Sequence, residues 1–234
     1  MAGRIYLIPV PLADTPPAQV LPQANTAIVT GLRHFIVENI RSARRFLKSV
    51  DRDIDIDSLS MVELNGHTDV LSIPSMISPA LEGHDIGVIS EAGCPAVADP
   101  GADIVALAQR NGLEVVPLVG PSSIIMGLMG SGFNGQSFAF LGYLPIDARQ
   151  RTARLKEMER MVNQHSQTQI FIETPYRNNR LIAELATTLP GNMLLCVASD
   201  ITGPAQSITT RPLSWWAKAP YDYNKRPTIF LLYQ

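Results

Sequence analysis

Short apolar runs alternate with amphipathic stretches along this chain. The runs are rich in β-branched residues, and runs of this length bounded by turn residues predict buried strands. They cover residues 5–10, 34–37, 86–89, 114–119, 138–141, 169–172, 193–198 and 228–233. Helical spacing at 40–50 and 102–111 separates the earlier runs, and this alternation is typical of parallel α/β units. We therefore predict an α/β protein whose first half is a mostly parallel, doubly wound sheet.

The second half begins at a turn signal, Val119-Gly-Pro-Ser122. A helix of small residues follows, and residues 146–163 form a polar helix before a strand-helix-strand stretch that ends at Cys196. We expect a mixed sheet covered by helices. These patterns predict an N-terminal α/β domain at 1–119 and a C-terminal α/β domain at 120–234.

Composition limits the classes of function. The 234 residues are 46% hydrophobic, which supports a sizeable core, and the net charge of −2 gives no overall basic field, so nucleic acid would have to bind local patches. Two cysteines without a CxxC and four histidines without ligand spacing predict neither a disulfide framework nor a metal site. Without a signal-like opening or a run of about 18 apolar residues, we expect a soluble, cytoplasmic protein with no membrane segment.

Two stretches concentrate positive charge. The helix after Asn39 has the apolar residues Ile40, Ala43, Leu47 and Val50 on one side and the cations Arg41, Arg44, Arg45 and Lys48 on the other. A second cluster contains Arg149, Arg151, Arg154 and Lys156. Each cluster is either an ordinary solvated helix face or a strip that contacts phosphates, and the sequence leaves both interpretations open.

The loop SEAGCPAVADPG, residues 90–101, follows one of the predicted buried strands. Asp99 and Pro100 are typical of a helix start, with Asp99 capping free amides. The preceding residues lie at the carboxyl end of the strand, where open α/β sheets bind ligands. Ala92 and Gly93 are small enough for a ligand to approach the backbone closely, and Pro95 stiffens the loop.

Further motifs accompany this loop in a fixed order. They are RIYLIPVP at 4–11, ENIR at 38–41, GPSS at 120–123, GYLP at 142–145 and ETPYR at 173–177. In this order and spacing, residues from Arg4 to about Trp216 resemble the tetrapyrrole methylase superfamily, in particular its ribosomal RNA small subunit methyltransferase I branch. That branch methylates a cytidine 2′-hydroxyl of 16S ribosomal RNA, with corresponding motifs VATPIGN, EDTR, SDAGTPxISDPG, GPSA, GFLP and ExPHR.

The resemblance implies two α/β domains with S-adenosylmethionine in a cleft between them, no metal, and a homodimer. The residues that it implies for binding the cofactor are Pro9, Glu91, Ala92, Gly93, Cys94, Pro95, Ser122 and Ser123. It further implies that Ile172 and Ala198 close over the adenosine. Ile172 and Ala198 have an equally good interpretation as core residues. Cys94 is better read as a small apolar filler than as a nucleophile.

Methyl transfer to a ribose hydroxyl depends on in-line positioning and on a base or a cation at the oxygen. Glu38 and Arg41 are the first candidates, although an ordinary i,i+3 ion pair would also explain them. Glu173 and Arg177 either share the catalytic work or bind RNA. Arg44, Arg45, Arg149 and Arg151 are the remaining candidates for contacts with ribosomal RNA or the small ribosomal subunit.

The chain also departs from the family pattern. EDTR is replaced by ENIR, the histidine of PHR by Tyr176, and the lysine and glutamate of a later LTKxxE motif by Gly203 and Gln206. Three functions therefore stay open. They are a methyltransferase acting on small-subunit ribosomal RNA, a methylase of a tetrapyrrole or another small molecule, and a cofactor-binding pseudoenzyme that docks on RNA.

Overall fold

The computed structural model describes residues 2–234, which form two compact units that divide after Ser122. Unit one contains β1 (Ile5–Ile8), α1 (Pro17–Val20), α2 (Gln23–Gly31), β2 (His34–Val37), α3 (Ile40–Val50), β3 (Ser60–Glu63), α4 (Ser78–Leu81), β4 (Ile86–Ile89), α5 (Gly101–Arg110) and β5 (Val115–Pro117). Unit two contains α6 (Ser123–Ser131), β6 (Phe138–Tyr143), α7 (Ala148–His165), β7 (Thr168–Ile172), α8 (Asn178–Thr188), β8 (Leu194–Ser199), β9 (Ser207–Pro212), α9 (Leu213–Trp216) and β10 (Thr228–Tyr233). Single 3₁₀ segments lie at Ile56–Ser58, Val70–Ile77 and Pro175–Arg177.

Unit one is built on a parallel five-stranded sheet in the order β3-β2-β4-β1-β5. The buried strands β1 and β4 lie side by side. Helix α5 and the 70–81 segment cover one face of the sheet, and helices α2 and α3 cover the other. Helices on both faces of a parallel sheet confirm the predicted doubly wound arrangement.

Helix α3 shows how the sequence pattern determines its orientation. Its first turn is capped by the Asn39 side chain, which accepts a hydrogen bond from the Ser42 N–H at 3.1 Å. Ala43, Phe46 and Leu47 are buried against the sheet. The four cations of the helix, Arg41, Arg44, Arg45 and Lys48, are all exposed.

Unit two has a mixed sheet in the order β6-β7-β10-β8-β9, in which only β6 and β7 pair in parallel. Helices α7 and α8 cover one face with a large apolar core. Helix α6 approaches the sheet closely through its glycines, because a Cβ at Gly130 would lie 2.7 Å from Ile208 Cδ1. The mixed, helix-covered sheet was predicted, whereas the strands β3 and β9 were not.

No helix within residues 2–234 combines the length and the apolar character needed to cross a membrane.

Candidate functional site

The loops that follow β1 and β4 are joined at the carboxyl edge of the unit-one sheet. Val10 N–H donates to the Gly93 carbonyl at 2.9 Å, and Gly93 N–H donates to the Val10 carbonyl at 3.2 Å. After β1 the chain crosses to β2 on one side of this central pair of strands. After β4 it crosses to β5 on the other side. Open α/β sheets bind ligands at such a reversal.

A third segment, Gly120-Pro121, meets the same two loops. The Cys94 thiol donates to the Pro121 carbonyl at 3.4 Å. A Cβ at residue 120 would collide with the ring of Pro9, so only glycine allows this close packing. The structure thus brings Pro9 and the loop that carries Gly93 and Cys94 together with the Gly120-Pro121 segment. Burial raises the pKa of the Cys94 thiol, which agrees with its interpretation as a filler.

Gly93 has a structural role that the sequence interpretation did not include. Its φ is +72°, and a Cβ there would lie 3.0 Å from Leu12 Cδ2 and 3.5 Å from the Pro121 carbonyl. The fold itself therefore requires this glycine, because its φ is positive and Leu12 occupies the space that a Cβ would need. Beside Gly93, Glu91 and Ala92 are exposed, whereas Pro95 is buried.

The rest of the β4–α5 loop (residues 90–100) is held in an unusual backbone conformation. Ala96 and Ala98 have φ values of 65° and 60°, in the left-handed region that alanine rarely adopts. The Asp99 carboxylate accepts a hydrogen bond from the Gly101 N–H at 2.6 Å, as its predicted capping role requires. Burial raises the pKa of Asp99, and backbone N–H groups, including those of Ala96 and Val97, act in the opposite direction. These contacts hold the strained loop in place.

Glu38 supports this loop from the neighbouring strand. Its Oε2 atom accepts a hydrogen bond from the Glu91 N–H at 2.9 Å, and its own N–H donates to the Ile89 carbonyl at 3.0 Å. Within residues 2–234 it forms no ion pair with Arg41, so the helix-start ion pair considered from the sequence is not what the structure contains. Glu38 instead fixes the backbone beside Ala92.

The predicted residues of unit two have more local roles. Glu173 Oε1 accepts hydrogen bonds from the Thr174 N–H at 2.6 Å and from Arg177 at 2.7 Å, and its side chain is only 9% exposed. Ile172 and Ala198 lie on either side of Ile229 in adjacent strands. Ala198 is fully buried and packs in the core, whereas Ile172 keeps partial exposure.

The predicted RNA-contacting arginines divide into two groups. Arg44, Arg45 and Arg149 are exposed. Arg151 is largely buried, because its guanidinium binds Glu184 at 2.7 Å and the backbone carbonyls of Pro145 and Ile146 at 3.0 and 2.7 Å. Arg151 therefore braces the start of α7, and its guanidinium is little available to a phosphate.

Solved structures similar to this chain include methyltransferases. The methyltransferase CobJ matches with a TM-score of 0.67 at 16% identity, covering 100% of this chain and 95% of that protein. A uroporphyrin-III C-methyltransferase from Thermus thermophilus, complexed with S-adenyl homocysteine, matches with a TM-score of 0.58 at 15% identity, covering 99% and 98%. Likeness at this identity establishes the fold.

Curated relatives by sequence carry the name ribosomal RNA small subunit methyltransferase I. The protein from Vibrio cholerae is 27% identical over 99% of this chain and 77% of its own length. That from Streptococcus pyogenes serotype M3 is 30% identical over 91% and 66%, and that from Halalkalibacterium halodurans is 26% identical over 86% and 65%. This chain is therefore similar in sequence to ribosomal RNA small subunit methyltransferase I and has the fold of these solved methyltransferases. It spans about two thirds to three quarters of the length of these relatives, and no family model matches it.

In the loop after β8, Gly203 and Gln206 stand at the positions of the lysine and glutamate of LTKxxE. A Cβ at Gly203 would lie 2.5 Å from the carboxyl atoms of Asp200. Asp200 Oδ2 accepts a hydrogen bond from the Ala205 N–H at 2.8 Å, and Gln206 Oε1 accepts one from the Thr202 N–H at 2.7 Å. The side chains of Asp200 and Gln206 close the loop upon itself. Asp200 was not predicted as a site residue, and the departures at 203 and 206 were the available signal.

Replacing Gly203 with lysine should destabilise unit two by about 1–3 kcal/mol, because its Cβ would displace the Asp200 carboxylate from its hydrogen bond with the Ala205 N–H. Urea unfolding measures the decrease in the free energy of unfolding. The double change Asp200→Gly with Gly203→Lys should cost less than the sum of the two single changes, since the collision is already removed. Strictly additive costs would show that the two positions are not coupled.

Proposed function

We propose that this protein is an S-adenosylmethionine-dependent methyltransferase that methylates a ribose 2′-hydroxyl of small-subunit (16S) ribosomal RNA. The observation that carries the proposal is the convergence of the Pro9, Cys94 and Gly120 segments at the carboxyl edge of unit one. The relatives named ribosomal RNA small subunit methyltransferase I supply the substrate class. We further propose that it works as a homodimer, as the resemblance implies, and in the cytoplasm, as the sequence pattern predicts.

The residues at this edge are suited to hold the cofactor without a metal. S-adenosylmethionine, when bound, supplies an electrophilic methyl group. Glu91 and Ala92 are exposed residues of the β4–α5 loop, and Pro9 packs tightly against Gly120 beside the joined loops. Glu38 holds the loop backbone in a fixed position, and positioning is the main requirement of an in-line displacement.

Arg41 and its neighbours provide positive charge for the RNA. Helix α3 begins directly after the strand end that carries Glu38, which brings the exposed Arg41 near the supported loop. In this proposal Arg41 stabilises the alkoxide that develops on the attacking ribose, while Arg44 and Arg45 contact flanking phosphates. Arg149 adds an exposed cation in unit two.

The proposal is tested by isothermal titration with S-adenosylmethionine, followed by tritiated methyl transfer to unmethylated small ribosomal subunits. Binding with transfer to the RNA is the expected result. Binding without transfer would contradict the substrate assignment, and the absence of binding would contradict the cofactor assignment. Mapping the tritium to a ribose or to a base tests the 2′-hydroxyl directly.

A methylase of a tetrapyrrole is the second candidate. It is favoured by the named activity of the uroporphyrin-III methyltransferases that share the fold, and by the net charge of −2. Transfer of the methyl group to uroporphyrinogen III, with none to small subunits, would select it. A cofactor-binding pseudoenzyme would bind RNA and S-adenosylmethionine without transfer to either substrate.

Reversing the charge of Arg44 and Arg45 to glutamate should weaken RNA binding and flatten its salt dependence. Each lost phosphate contact reduces the slope of log K against log salt by about 0.7 for a single strand. Fluorescence anisotropy at several salt concentrations measures the slope. Reversal of Arg110 and Lys218, which are exposed outside both clusters, is the charge-matched control. An equal change in the control would make α3 an ordinary solvated face.

A further inference from the structure

Two strongly exposed tyrosines lie at the carboxyl edge of the unit-two sheet. Tyr143 is 62% exposed and Tyr176 is 76% exposed. Tyr143 ends β6 and pairs with Ile172, the last residue of the parallel neighbour β7, and Tyr176 lies in the 3₁₀ turn that follows β7. Single exposed aromatic residues are common, but these two occupy adjacent strand ends on one edge. We call them the tyrosine patch.

The backbone beneath Tyr143 is specifically shaped. The β6–β7 register shifts between Phe140 and Tyr143, and Gly142 has a φ of +66°. Such an irregularity redirects the following side chain. The next residue, Leu144, is buried, and Arg151 binds the two carbonyls that follow it. Tyr143 therefore projects outward from a rigid base.

Positive charge surrounds the tyrosine patch. Lys225 N–H donates to the Pro175 carbonyl at 2.9 Å, which brings the exposed Lys225 and Arg226 to the turn that carries Tyr176. Arg177 lies in the same turn, and Arg149 follows the end of β6 by a few residues. The exposed Lys225, Arg226 and Arg149 make the edge complementary to a phosphate backbone.

The acidic groups at this edge bind protein donors. Glu173 pairs with Arg177, and Asp147 caps α7 through the Gln150 N–H. Asp222 accepts hydrogen bonds from the Asn179 amide at 3.0 Å and from the Asn224 N–H at 3.1 Å. The Asp222 carboxylate also interacts electrostatically with Arg226 and Lys225, but Lys225, Arg226 and Arg149 form no ion pair within residues 2–234, so their charged groups can contact an anionic partner.

We infer that the tyrosine patch stacks bases of a single-stranded RNA segment whose phosphates contact the surrounding cations. Unpaired RNA bases stack on aromatic side chains that are flanked by Arg or Lys. Such stacking requires no hydrogen bonds to the edges of the bases. The inference rests on the proposed function and adds to it the two residues that hold the RNA near unit two.

The test is fluorescence anisotropy with a labelled single-stranded RNA of about 12 nucleotides, within the site sizes of single-strand binders. Tyr143→Ala and Tyr176→Ala should each weaken binding about tenfold, in line with the loss of one base–aromatic stack. Tyr→Phe at either position should retain the affinity, because stacking uses the ring face. The salt slope should not change, since no charge is removed.

Phe138→Ala is the matched control. Phe138 is 38% exposed and is the first residue of β6, at the opposite end of that strand from Tyr143. Unchanged RNA affinity in both tyrosine variants, or an equal loss in Phe138→Ala, would overturn the inference. Thermal unfolding of each variant verifies that the fold is intact, which the exposure of both tyrosines leads us to expect.

The same preparations separate this inference from the proposed function. If the wild-type protein methylates small subunits while both tyrosine variants bind the oligonucleotide normally, the inference alone fails. If the wild-type protein binds S-adenosylmethionine but no RNA, both the inference and the RNA substrate fail. A tenfold loss confined to the alanine variants supports the inference.

Discussion

Replacing Ala92 with phenylalanine should abolish S-adenosylmethionine binding while unit one stays folded. Ala92 is exposed and does not have a positive φ, so the larger side chain extends from the loop without strain or collision. It would then occupy the space where we propose that the cofactor meets the loop backbone. Calorimetry should show an affinity at least about 100-fold weaker, or about 2.7 kcal/mol, and the thermal midpoint should not move.

Val97→Phe is the matched control for this change, because Val97 is 49% exposed in the same loop. It should leave cofactor affinity unchanged. Normal binding by Ala92→Phe would show that the β4–α5 loop is not the cofactor site. Gly93→Val is less informative, since the positive φ and the contact with Leu12 make it destabilise the loop whether or not a ligand binds there.

The strands predicted from sequence were those with strong apolar patterns. The ranges 34–37, 86–89 and 228–233 coincide with β2, β4 and β10 because these strands are buried or nearly so. The unpredicted strands β3 and β9 both lie at a sheet edge and are exposed or only partly buried. An edge strand takes backbone hydrogen bonds from one side and needs little apolar surface, so its sequence carries a weak signal.

The candidate site was predictable as a set of motifs but not as a set of contacts. Nothing in the local sequence relates Glu38 to the Glu91 N–H, which is 53 residues away, and only the adjacency of β2 and β4 brings them together. Likewise, nothing in the local sequence indicates that the ring of Pro9 packs against Gly120, which is distant along the chain. Sequence spacing had suggested Arg41 as the partner of Glu38, because helical neighbours are easier to recognise than tertiary ones.

Replacing Glu38 with alanine should lower both cofactor affinity and the rate of methyl transfer by about tenfold or more. The loop would lose a hydrogen bond to a charged acceptor, a contact that contributes about 1.5–3 kcal/mol in proteins. Glu38→Gln should remain within about threefold of the wild-type protein, because its amide oxygen can still accept the hydrogen bond from the Glu91 N–H. Titration calorimetry and initial rates measure the two quantities separately.

The glutamine variant decides between the two roles considered for Glu38. A general base contributes about 10²–10⁴ to a rate, so its loss would reduce kcat by that factor at unchanged cofactor affinity and would remove the acidic limb of the pH–rate profile. That result would contradict the positioning role. We expect the opposite, because one carboxylate oxygen of Glu38 already binds the loop backbone. Holding that backbone still is a sufficient reason for a carboxylate at this strand end, and it leaves proton removal from the ribose to another group or to solvent.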